Sequence, residues 1–558
     1  MAVDNGLIAE KFSLLAKLMD IHGENPFKIK SYAAAAFNID RLTEDLALIP
    51  RDSINTLKGI GPSIGKQVLE ILDTGDLTQL QDILKKTPSG IIEMLRIKGL
   101  GPKKIATVWK EMEIESIGEL MYACNENRLL LYKGFGEKTQ QSIKETISFY
   151  LKSQDRFLHA EVEAYVNQIT DTLRTAFPEH LLSTTGAFRR QLEIIDTPEW
   201  VTTIPIAGLE SFFKTNAFAI DQTDTKKLVA TGAENIRLAF DAVSGGSFYQ
   251  RLFETSCSSE FLESWKARYS IPDGANSEEA IFEAAGLSFI PPALRETADI
   301  LNEAGNSLPP LIQTVDIRGI IHSHSNWSDG LHTIEEMAKA CIQQGFEYLV
   351  ISDHSKSAFY ANGLTEERIR EQHAYIEELN RKLTPFYIFK SIECDILYEG
   401  DLDYSDSILQ LFDLVIASVH SNLKMNEEKA MKRLLRAIEN PYTRVLGHPT
   451  GRLLLSRPGY PVDHRQLIDA CSAHGVVIEL NAHPRRLDLD WRWIDYALKK
   501  NVLISIDPDA HSIAGYHDIH YGVLVAQKGG LTASRNLSSF SLEQLKSFAA
   551  SKRTPATV

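Results

Sequence analysis

Seven times within residues 316–511, a short apolar stretch rich in β-branched side chains ends on a histidine or an acid. The stretches are 317–321, 348–352, 387–392, 414–419, 444–447, 476–480 and 502–506. Amphipathic segments of helical length, such as 333–344 and 366–383, lie between them. Alternating strands and helices predict a parallel sheet, and strands that are apolar throughout predict a sheet buried on both faces. Seven such strands favour a closed α/β barrel.

The side chains that follow these strands are of the kind that bind metals. In a barrel they meet at the C-terminal rim, where active sites lie. His322 and His324, and likewise Asp509 and His511, are two positions apart, so each pair is predicted to bind one ion. The nine candidate ligands are His322, His324, Asp329, His354, Glu393, His420, His448, Asp509 and His511. Nine ligands are too many for one tetrahedral ion, so we expect two or three divalent ions bridged by carboxylates, an arrangement suited to phosphoester hydrolysis.

The motifs that carry these ligands are specific. They are His-Ser-His at 322–324, Trp-Ser-Asp-Gly at 327–330, Ser-Asp-His at 352–354, Glu-Cys-Asp-Ile at 393–396, Ala-Ser-Val-His-Ser at 417–421, Gly-His-Pro-Thr-Gly-Arg-Leu at 447–453, Asn-Ala-His-Pro-Arg-Arg-Leu-Asp at 481–488 and Asp-Ala-His-Ser at 509–512. Over residues 315–540 they resemble the PHP metallo-phosphoesterase domain, and more narrowly the PHP domain that follows the polymerase in bacterial family X DNA polymerases. This resemblance implies a distorted seven-stranded barrel in which all nine positions hold metals.

The resemblance also implies Mn²⁺-dependent 3′→5′ exonuclease action and cleavage at abasic sites in base-excision repair. His plus carboxylate ligands suit Mn, Zn or Fe equally, so the metal stays open. Asp329 and Glu393 are predicted to act in catalysis as well as in metal binding. Arg452 and Arg486, just beyond strand ends, either clamp the phosphate or form loop salt bridges. His483, where the family more often has Asn, is an extra ligand, a substrate contact or a rim histidine.

Residues 1–155 are predicted to be all-helical because their apolar spacing is of the 3.6-residue type. Three glycine turns with flanking lysines punctuate them and predict helix–hairpin–helix motifs that grip DNA phosphates without reading sequence. The candidate DNA-binding residues are Gly59, Gly61, Lys66, Gly99, Gly101, Lys103, Lys104, Gly134 and Gly136. The stretch 24–36 also resembles the small N-terminal domain of family X polymerases, which implies recognition of gapped, nicked or 3′-ended DNA.

Residues 156–300 correspond to an α+β palm and thumb in which the resemblance weakens. The family's Gly-Ser turn is Gly186-Ala187 here, and its two strand aspartates would fall on Thr197 and Glu199. The third would fall on Ala239, with Asp241 two positions late. Two-metal nucleotidyl transfer requires these carboxylates, so the sequence predicts that polymerisation is lost.

Two alternatives remain open at the level of sequence. One is a working gap-filling polymerase with an associated nuclease, using Mg²⁺ and displaced carboxylates such as Asp196 or Asp241. The other is a small-molecule phosphoesterase with a DNA-binding arm.

Charge is unevenly spread along the 558 residues. The net charge of −15 argues against a DNA partner, yet residues 1–150 hold 19 Lys plus Arg against 20 Asp plus Glu. Five scattered cysteines suit a reducing cytoplasm, and neither a membrane span nor a signal peptide is apparent. We expect a monomeric multidomain protein with a linker at 301–314, a barrel at 315–558 and a final helix at 532–552.

Overall fold

The structure is a computed structural model. It describes residues 4–40, 42, 44–57, 60–97, 99–151, 156–232, 236–303, 305 and 308–551. The chain divides into two compact units. The first comprises Met1–Cys124 and Tyr132–Tyr150, and the second comprises Asn125–Leu131 and Leu151–Val558.

The first unit is built from helices. They are α1 (Asn5–His22), α2 (Pro26–Asp40), α3 (Pro62–Thr74), α4 (Thr78–Leu84), α5 (Ser89–Met94), α6 (Pro102–Lys110), α7 (Ile117–Asn125) and α8 (Glu137–Leu151). Asp4 caps α1 by accepting a hydrogen bond from the Leu7 amide, and Gly23 ends it at a φ of 77°. Proline begins both α3 and α6, at the one turn of a helix where its missing N–H is tolerated.

Three hairpins of this unit repeat one backbone arrangement. In each, an amide donates to the carbonyl three residues earlier: Ile60 to Leu57, Leu100 to Ile97 and Phe135 to Tyr132. The following glycine carbonyl then accepts the first bond of the next helix: Gly61 from Gly65, Gly101 from Ile105 and Gly136 from Gln140. Gly99 and Gly134 have φ values of 94° and 97°, which glycine adopts without strain. The repeat is therefore structural as well as sequential.

The second unit contains a five-stranded mixed sheet with helices around it. Its strands are β2 (Leu182–Thr185), β4 (Glu199–Thr202), β5 (Ala219–Thr223), β6 (Lys227–Thr231) and β7 (Arg237–Ala242), in the order β2-β4-β7-β6-β5. A separate pair is β1 (Phe157–Leu158) with β3 (Ile194–Ile195). The helices are α9 (His159–Ala176), α10 (Gly186–Arg189), α11 (Ile206–Thr215), α12 (Phe248–Thr255), α13 (Ser259–Arg268), α14 (Glu278–Ala284) and α15 (Ile300–Glu303).

The same unit ends in a parallel sheet of seven strands in sequence order. They are β8 (Gly319–Ser323), β9 (Tyr348–Ile351), β10 (Tyr387–Asp395), β11 (Leu414–Ser418), β12 (Val445–Leu446), β13 (Val477–Asn481) and β14 (Ile504–Asp507). The helices that accompany them are α16 (Ile334–Gln343), α17 (Glu366–Leu383), α18 (Asp406–Leu409), α19 (Glu427–Glu439), α20 (His464–His474), α21 (Ile494–Lys499), α22 (Ile519–Lys528) and α23 (Leu542–Ala550). A parallel bridge between Ser323 and Ala510 brings the first strand to the end of the last, so the barrel is nearly closed.

Burial explains the barrel's composition. Strands β8, β9, β11, β13 and β14 are buried at every position, which is why their sequences are apolar rather than alternating. Inward and outward side chains fill separate clusters: Ile351 and Leu446 belong to one, and Val350 and Val445 to the other. The predicted fold class of helical region, α+β middle and seven-stranded barrel is confirmed.

One local prediction differs from the structure. Residues 532–552 are not one helix: 3₁₀ turns precede α23, because the Asn536 side chain donates to the hydroxyls of Ser538 and Ser539 and Ser541 caps the helix only there. Within the predicted linker 301–314, Leu301 and Ile312 are buried and the Ile312 amide donates to the Leu531 carbonyl. Among the described helices, none combines the length and apolar composition needed to span a bilayer.

Candidate metal centre

The C-terminal ends of the barrel strands bring all nine candidate ligands together. Eight fall into three overlapping sets whose ligand atoms lie within 4.8 Å of one another. The sets are His324, Asp329, His354 and His511; His322, His324, Glu393 and Asp509; and His354, Glu393 and His420. The ninth, His448, places Nε2 2.9 Å from Oε1 of Glu393.

Glu393 lies at the middle of this cluster. Its carboxylate oxygens are within 4.0 Å of imidazole nitrogens of five histidines: His322 (3.3 Å), His324 (3.6 Å), His354 (3.0 Å), His420 (3.0 Å) and His448 (2.9 Å). It is also shared by two of the three sets. A carboxylate in that position suits a bridge between ions.

The two predicted ligand pairs have different outcomes. His322 and His324 share a set, but Asp509 and His511 do not: Asp509 belongs with Glu393 and His511 with Asp329. The prediction assumed extended backbone, whereas Asp509 has a φ of 52° and both residues lie beyond the end of β14. His322 also has a positive φ, 59°. Non-glycine residues in this region are strained, and such strain concentrates at functional sites.

Carboxylates that are not ligands orient the histidines. Oε2 of Glu479 lies 2.5 Å from Nδ1 of His322, while its Oε1 accepts from the His448 amide at 3.1 Å and from Asn481 at 2.9 Å. Asp395 lies 3.0 Å from Nδ1 of His420 in the same way. The other ring nitrogen of each histidine is left for a metal, as in carboxylate–histidine–metal arrangements. Sequence reasoning missed both roles, although a buried acid at position 479 of an otherwise apolar strand was a usable signal.

Asp353 has a third role, unrelated to coordination. Its carboxylate accepts hydrogen bonds from the Ser325 amide and hydroxyl, the Ser328 hydroxyl and the Gln372 amide group. It therefore fixes the loop that carries Asp329. This places Asp329 3.5 Å from imidazole nitrogens of His354 and His511.

Electrostatics divide the histidines into two kinds. Burial lowers the pKa of His324 to about 3, reinforced by the positive charges of His511 and His354. Burial also opposes charge on His420 and His511, but neighbouring carboxylates, chiefly Glu393 and Asp329 respectively, outweigh it and raise each pKa to about 9. Burial would raise the pKa of Asp509, yet the charge of His322 and a hydrogen bond from His324 hold it well below its usual range.

The donor set fits divalent metal ions. Six buried ligand atoms make no hydrogen bond of regular geometry, although most of them lie within 4.0 Å of an oppositely charged group: Nε2 of His322, Nδ1 of His324, Nδ1 of His354, Oε2 of Glu393, Nδ1 of His448 and Nε2 of His511. Buried polar atoms are rarely left unsatisfied without a functional reason. Imidazole and carboxylate donors at this density indicate divalent-metal binding.

The two predicted arginines and His483 differ in their surroundings. Arg452 donates to the Arg486 and Leu487 carbonyls and pairs with Asp490 at 2.6 Å, so it braces this loop. Arg486 lies at the centre itself, with Nε 3.7 Å from Asp509. Nδ1 of His483 accepts from the Arg485 amide at 3.2 Å, and His483 belongs to none of the ligand sets.

Three acids of the polymerase-like region have different surroundings, and two of them, Glu199 and Asp241, lie close enough to interact electrostatically. Asp196 is exposed and pairs with Arg156 at 3.2 Å, and Asp241 pairs with Arg251 at 2.5 Å. Glu199 begins β4 beside Ala239, where its side chain packs against Gly186. Among the described residues, no group of potential metal ligands is found in this sheet.

The arginines that follow Gly186 and Ala187 are engaged as well. Arg189 pairs with Glu278 and donates to the Ser256 hydroxyl. Arg190 pairs with Glu296 at 3.0 Å. This turn is therefore part of an ion-pair network.

The candidate DNA-binding residues lie at the three hairpins, except Gly59, which is outside the described residues. Lys66 and Lys103 are exposed, and Lys104 donates to the Gly99 carbonyl at 3.3 Å. A Cβ placed on any of the remaining glycines would meet nothing within 4 Å: Gly61, Gly99, Gly101, Gly134 and Gly136. These turns have room for a phosphate to approach. The third hairpin differs, because Glu137 occupies the first helical residue where the others have proline.

Comparison with known families matches the same regions. Residues 3–77 match a helix-hairpin-helix domain, 91–148 a SAM-like helix-hairpin-helix tandem, and 321–483 the PHP domain. The chain also matches probable phosphatases over part of its length: one from Caldanaerobacter subterraneus is 28% identical over 30% of this chain and 63% of its own length. Another, from a Thermoanaerobacter species, is 30% identical over 29% of this chain and 62% of its own.

A nearly closed parallel barrel with a His/Asp/Glu centre at its rim, matching the PHP domain, defines the class: a metal-binding enzyme of the phosphoesterase or nuclease type. Similarity over the whole chain identifies the family more narrowly. It is 32% identical to the DNA polymerase/3′-5′ exonuclease PolX of Bacillus subtilis over 96% of its own length and 97% of that protein. The chain therefore belongs to the bacterial family X DNA polymerases that carry a C-terminal PHP domain, and its helix-hairpin-helix regions indicate DNA binding.

Proposed function

We propose that this protein is a metal-dependent DNA phosphodiesterase, a 3′→5′ exonuclease whose catalytic site is the barrel centre. The observation that carries the proposal is the convergence of nine candidate ligands, eight of them buried, at the strand ends, with Glu393 in their middle. The name of the Bacillus subtilis relative, which includes 3′-5′ exonuclease, supports the polarity. Cleavage at abasic sites and a role in DNA repair are part of the same proposal.

The nine ligands would hold two or three ions, of Mn, Zn or Fe. Bound divalent ions supply Lewis-acid activation of water and neutralise charge on a phosphodiester. The chain's own contribution is position: Glu393 would offer its carboxylate to the ions at the middle of the cluster, Glu479 and Asp395 fix the tautomers of His322 and His420, and Asp353 holds the Asp329 loop. Arg486, beside Asp509, is the cation we assign to the substrate phosphate. Arg452 is assigned to the support of its loop.

We assign DNA binding to the hairpins of the helical unit. Their open glycine turns and the exposed Lys66 and Lys103 suit contacts to backbone phosphates, which position a duplex without reading its sequence. We assign the two hairpins that start with proline the larger share. An acid at the start of α8 opposes an anion at the third.

We infer further that polymerisation is lost. Two-metal transfer needs convergent carboxylates, but Asp196 and Asp241 are each paired with an arginine. Arg189 and Arg190 are likewise paired with glutamates rather than available to a triphosphate. The contrary outcome, primer extension with Mg²⁺, would be sensitive to Asp241→Ala.

A second candidate is hydrolysis of small phosphoesters, because the chain matches probable phosphatases over about 30% of its length and residues 321–483 match the PHP domain. The two activities are separated by testing a p-nitrophenyl phosphomonoester against a 5′-labelled oligonucleotide. Under the exonuclease proposal, the oligonucleotide is the far better substrate in kcat/KM.

The deciding experiment combines metal analysis with nuclease assays. The purified protein should contain at least two divalent ions per chain and shorten a 5′-labelled strand from its 3′ end. His322→Ala/His324→Ala should lose both the ions and the activity. The control is His464→Ala, whose ring stacks on Trp493 away from the ligand sets. Activity that survives in the double variant would reject the barrel as the catalytic site.

A further inference from the structure

One segment of the barrel unit comes from a distant part of the sequence. Asn125–Leu131 lies between α7 and α8 in the chain, yet it belongs to the second unit with the barrel. Within it Glu126 is 8% exposed and Leu129 is fully buried. The Glu126 carboxyl is close enough to the centre for the charges of His511, Asp509 and Arg486 to act on it. The segment is therefore part of the wall around the metal centre.

Arg128 is the residue of this segment that faces the centre. Its guanidinium lies over the ring of Tyr360, 4.8 Å from the centroid. The Tyr360 ring is in turn 6.5 Å from the ring of the ligand His354. The Nε atom of Arg128 is buried without a hydrogen-bond partner, and the nearby carboxyl of Glu126 lies within electrostatic reach of the guanidinium. The guanidinium therefore lies one aromatic ring away from the candidate ligand His354.

The residue next to Tyr360 adds an aromatic surface. Phe359 is 84% exposed, and its ring lies 6.0 Å from that of Tyr360 at an interplanar angle of 76°. A large apolar ring so exposed contributes little to folding. Nucleic-acid bases stack on aromatic rings of this kind, and arginine beside them binds the backbone.

We propose that Arg128, Tyr360 and Phe359 form the subsite for the nucleotide adjacent to the scissile phosphate. Arg128 binds the neighbouring phosphate over Tyr360, and Phe359 stacks on a base. The subsite makes the centre prefer a polynucleotide over a simple phosphoester, which has neither a second phosphate nor a base. This inference rests on the proposed nuclease function. It assigns residues to the part of the substrate that the metal-binding side chains do not contact.

The test compares two substrates in the full-length, Mn²⁺-loaded protein. Arg128→Ala and Phe359→Ala should each lower kcat/KM for a single-stranded oligonucleotide by about tenfold. Both should leave hydrolysis of bis(p-nitrophenyl) phosphate within about twofold, a change too small to represent a lost contact. The matched control is Arg465→Ala, whose guanidinium lies over Tyr496 at the same 4.8 Å on helix α20. Phe359 is so exposed that its replacement does not threaten folding.

A second readout needs no catalysis. Fluorescence anisotropy of a labelled oligonucleotide on metal-free protein should show that Arg128→Ala reduces the salt dependence of binding by about one phosphate contact, whereas Phe359→Ala weakens binding at an unchanged salt slope. An equal loss of kcat/KM on both substrates would show that Arg128 has only a structural role. Faster hydrolysis of the small ester by Arg128→Ala would show that the segment blocks access to the centre. Either result overturns the subsite. If the wild type hydrolyses neither substrate, the proposed function fails, and the anisotropy still decides the subsite.

Discussion

The barrel rim and the polymerase-like sheet both gather acidic side chains, but they treat them in opposite ways. At the rim, Glu393 faces five imidazoles and six buried ligand atoms make no hydrogen bond of regular geometry. In the polymerase-like region, Asp241 of β7 and Glu278 of α14 are each paired with arginine. Unsatisfied donors and acceptors are costly unless a ligand uses them, whereas satisfied ion pairs serve the fold. The difference supports the proposal that the barrel centre is the catalytic site and that the polymerase-like region is inactive.

The largest effect is expected for a substitution of Glu393 in the barrel centre. Glu393→Gln should remove the bridging charge, lower metal content and reduce nuclease activity by about a thousandfold or more, as expected when a metal centre is broken. Metal analysis and oligonucleotide cleavage measure both effects. Glu371→Gln, on the exposed face of α17, is the control. Full nuclease activity in Glu393→Gln would show that Glu393 is not part of the catalytic centre.

Glu278 in the sheet region should show the reverse pattern. Glu278→Ala leaves the fully buried Arg295 without its carboxylate, so the free energy of unfolding should fall by about 3–5 kcal/mol. Urea unfolding followed by tryptophan fluorescence measures this, since Trp265 packs against Phe282 on the same helix as Glu278. Nuclease activity of the folded fraction should not change. The exposed neighbour Glu279→Ala should have little effect on either property, and a Glu278→Ala protein of normal stability would contradict the structural role.

Glu479 tests whether the centre depends on orientation as well as on ligands. Glu479→Gln should weaken metal binding by about 10–100-fold without removing any ligand, because His322 loses the partner that fixes its ring. Competition with a chelator gives the affinity. An unchanged metal affinity would show that Glu479 has only a structural role in β13.

Most of the fold and the ligand set could be predicted because both follow from local patterns. An apolar strand that ends on His or acid repeats seven times, and parallel strand ends share one rim. The supporting residues could not be predicted, since the contacts of Glu479 with His322, and of Asp353 with the Asp329 loop, join parts of the chain far apart. The separation of Asp509 from His511 was missed because it depends on a positive φ.

The place of Asn125–Leu131 was also beyond the sequence. Helices of the first unit lie on both sides of it in the chain, and nothing in its composition indicates a position at the barrel. Domain boundaries drawn at 155, 300 and 314 stay predictions, as do the individual site residues.

The pH dependence follows from the raised pKa values of His420 and His511, both about 9. Metal binding must displace these protons, so metal affinity should rise from pH 7 to 9 and level off above. Because both values exceed that of an unfolded histidine, about 6.5, the same ion pairs stabilise the metal-free fold at low pH and are lost as pH rises through 9. Calorimetric titration in buffers of different ionisation enthalpy measures the proton release. An affinity independent of pH from 7 to 9 would contradict this assignment.

The smallest expected effect distinguishes the hairpins. Lys66→Ala/Lys103→Ala should weaken DNA binding severalfold and reduce the salt slope by about two. Lys133→Ala/Lys138→Ala should do less, because Glu137 already opposes an anion there. Fluorescence anisotropy at several salt concentrations separates the pairs. Equal losses would show that the third hairpin binds phosphate as well as the others.

One assay compares the activities of the barrel centre and the polymerase-like region in a single reaction. A one-nucleotide-gapped duplex with a 5′-labelled primer is incubated with the Mn²⁺-loaded protein and all four deoxynucleoside triphosphates. The barrel centre should shorten the primer, with no product longer than the starting strand. Extension of the primer that disappears in Asp241→Ala, with no shortening that depends on Glu393, would contradict the account.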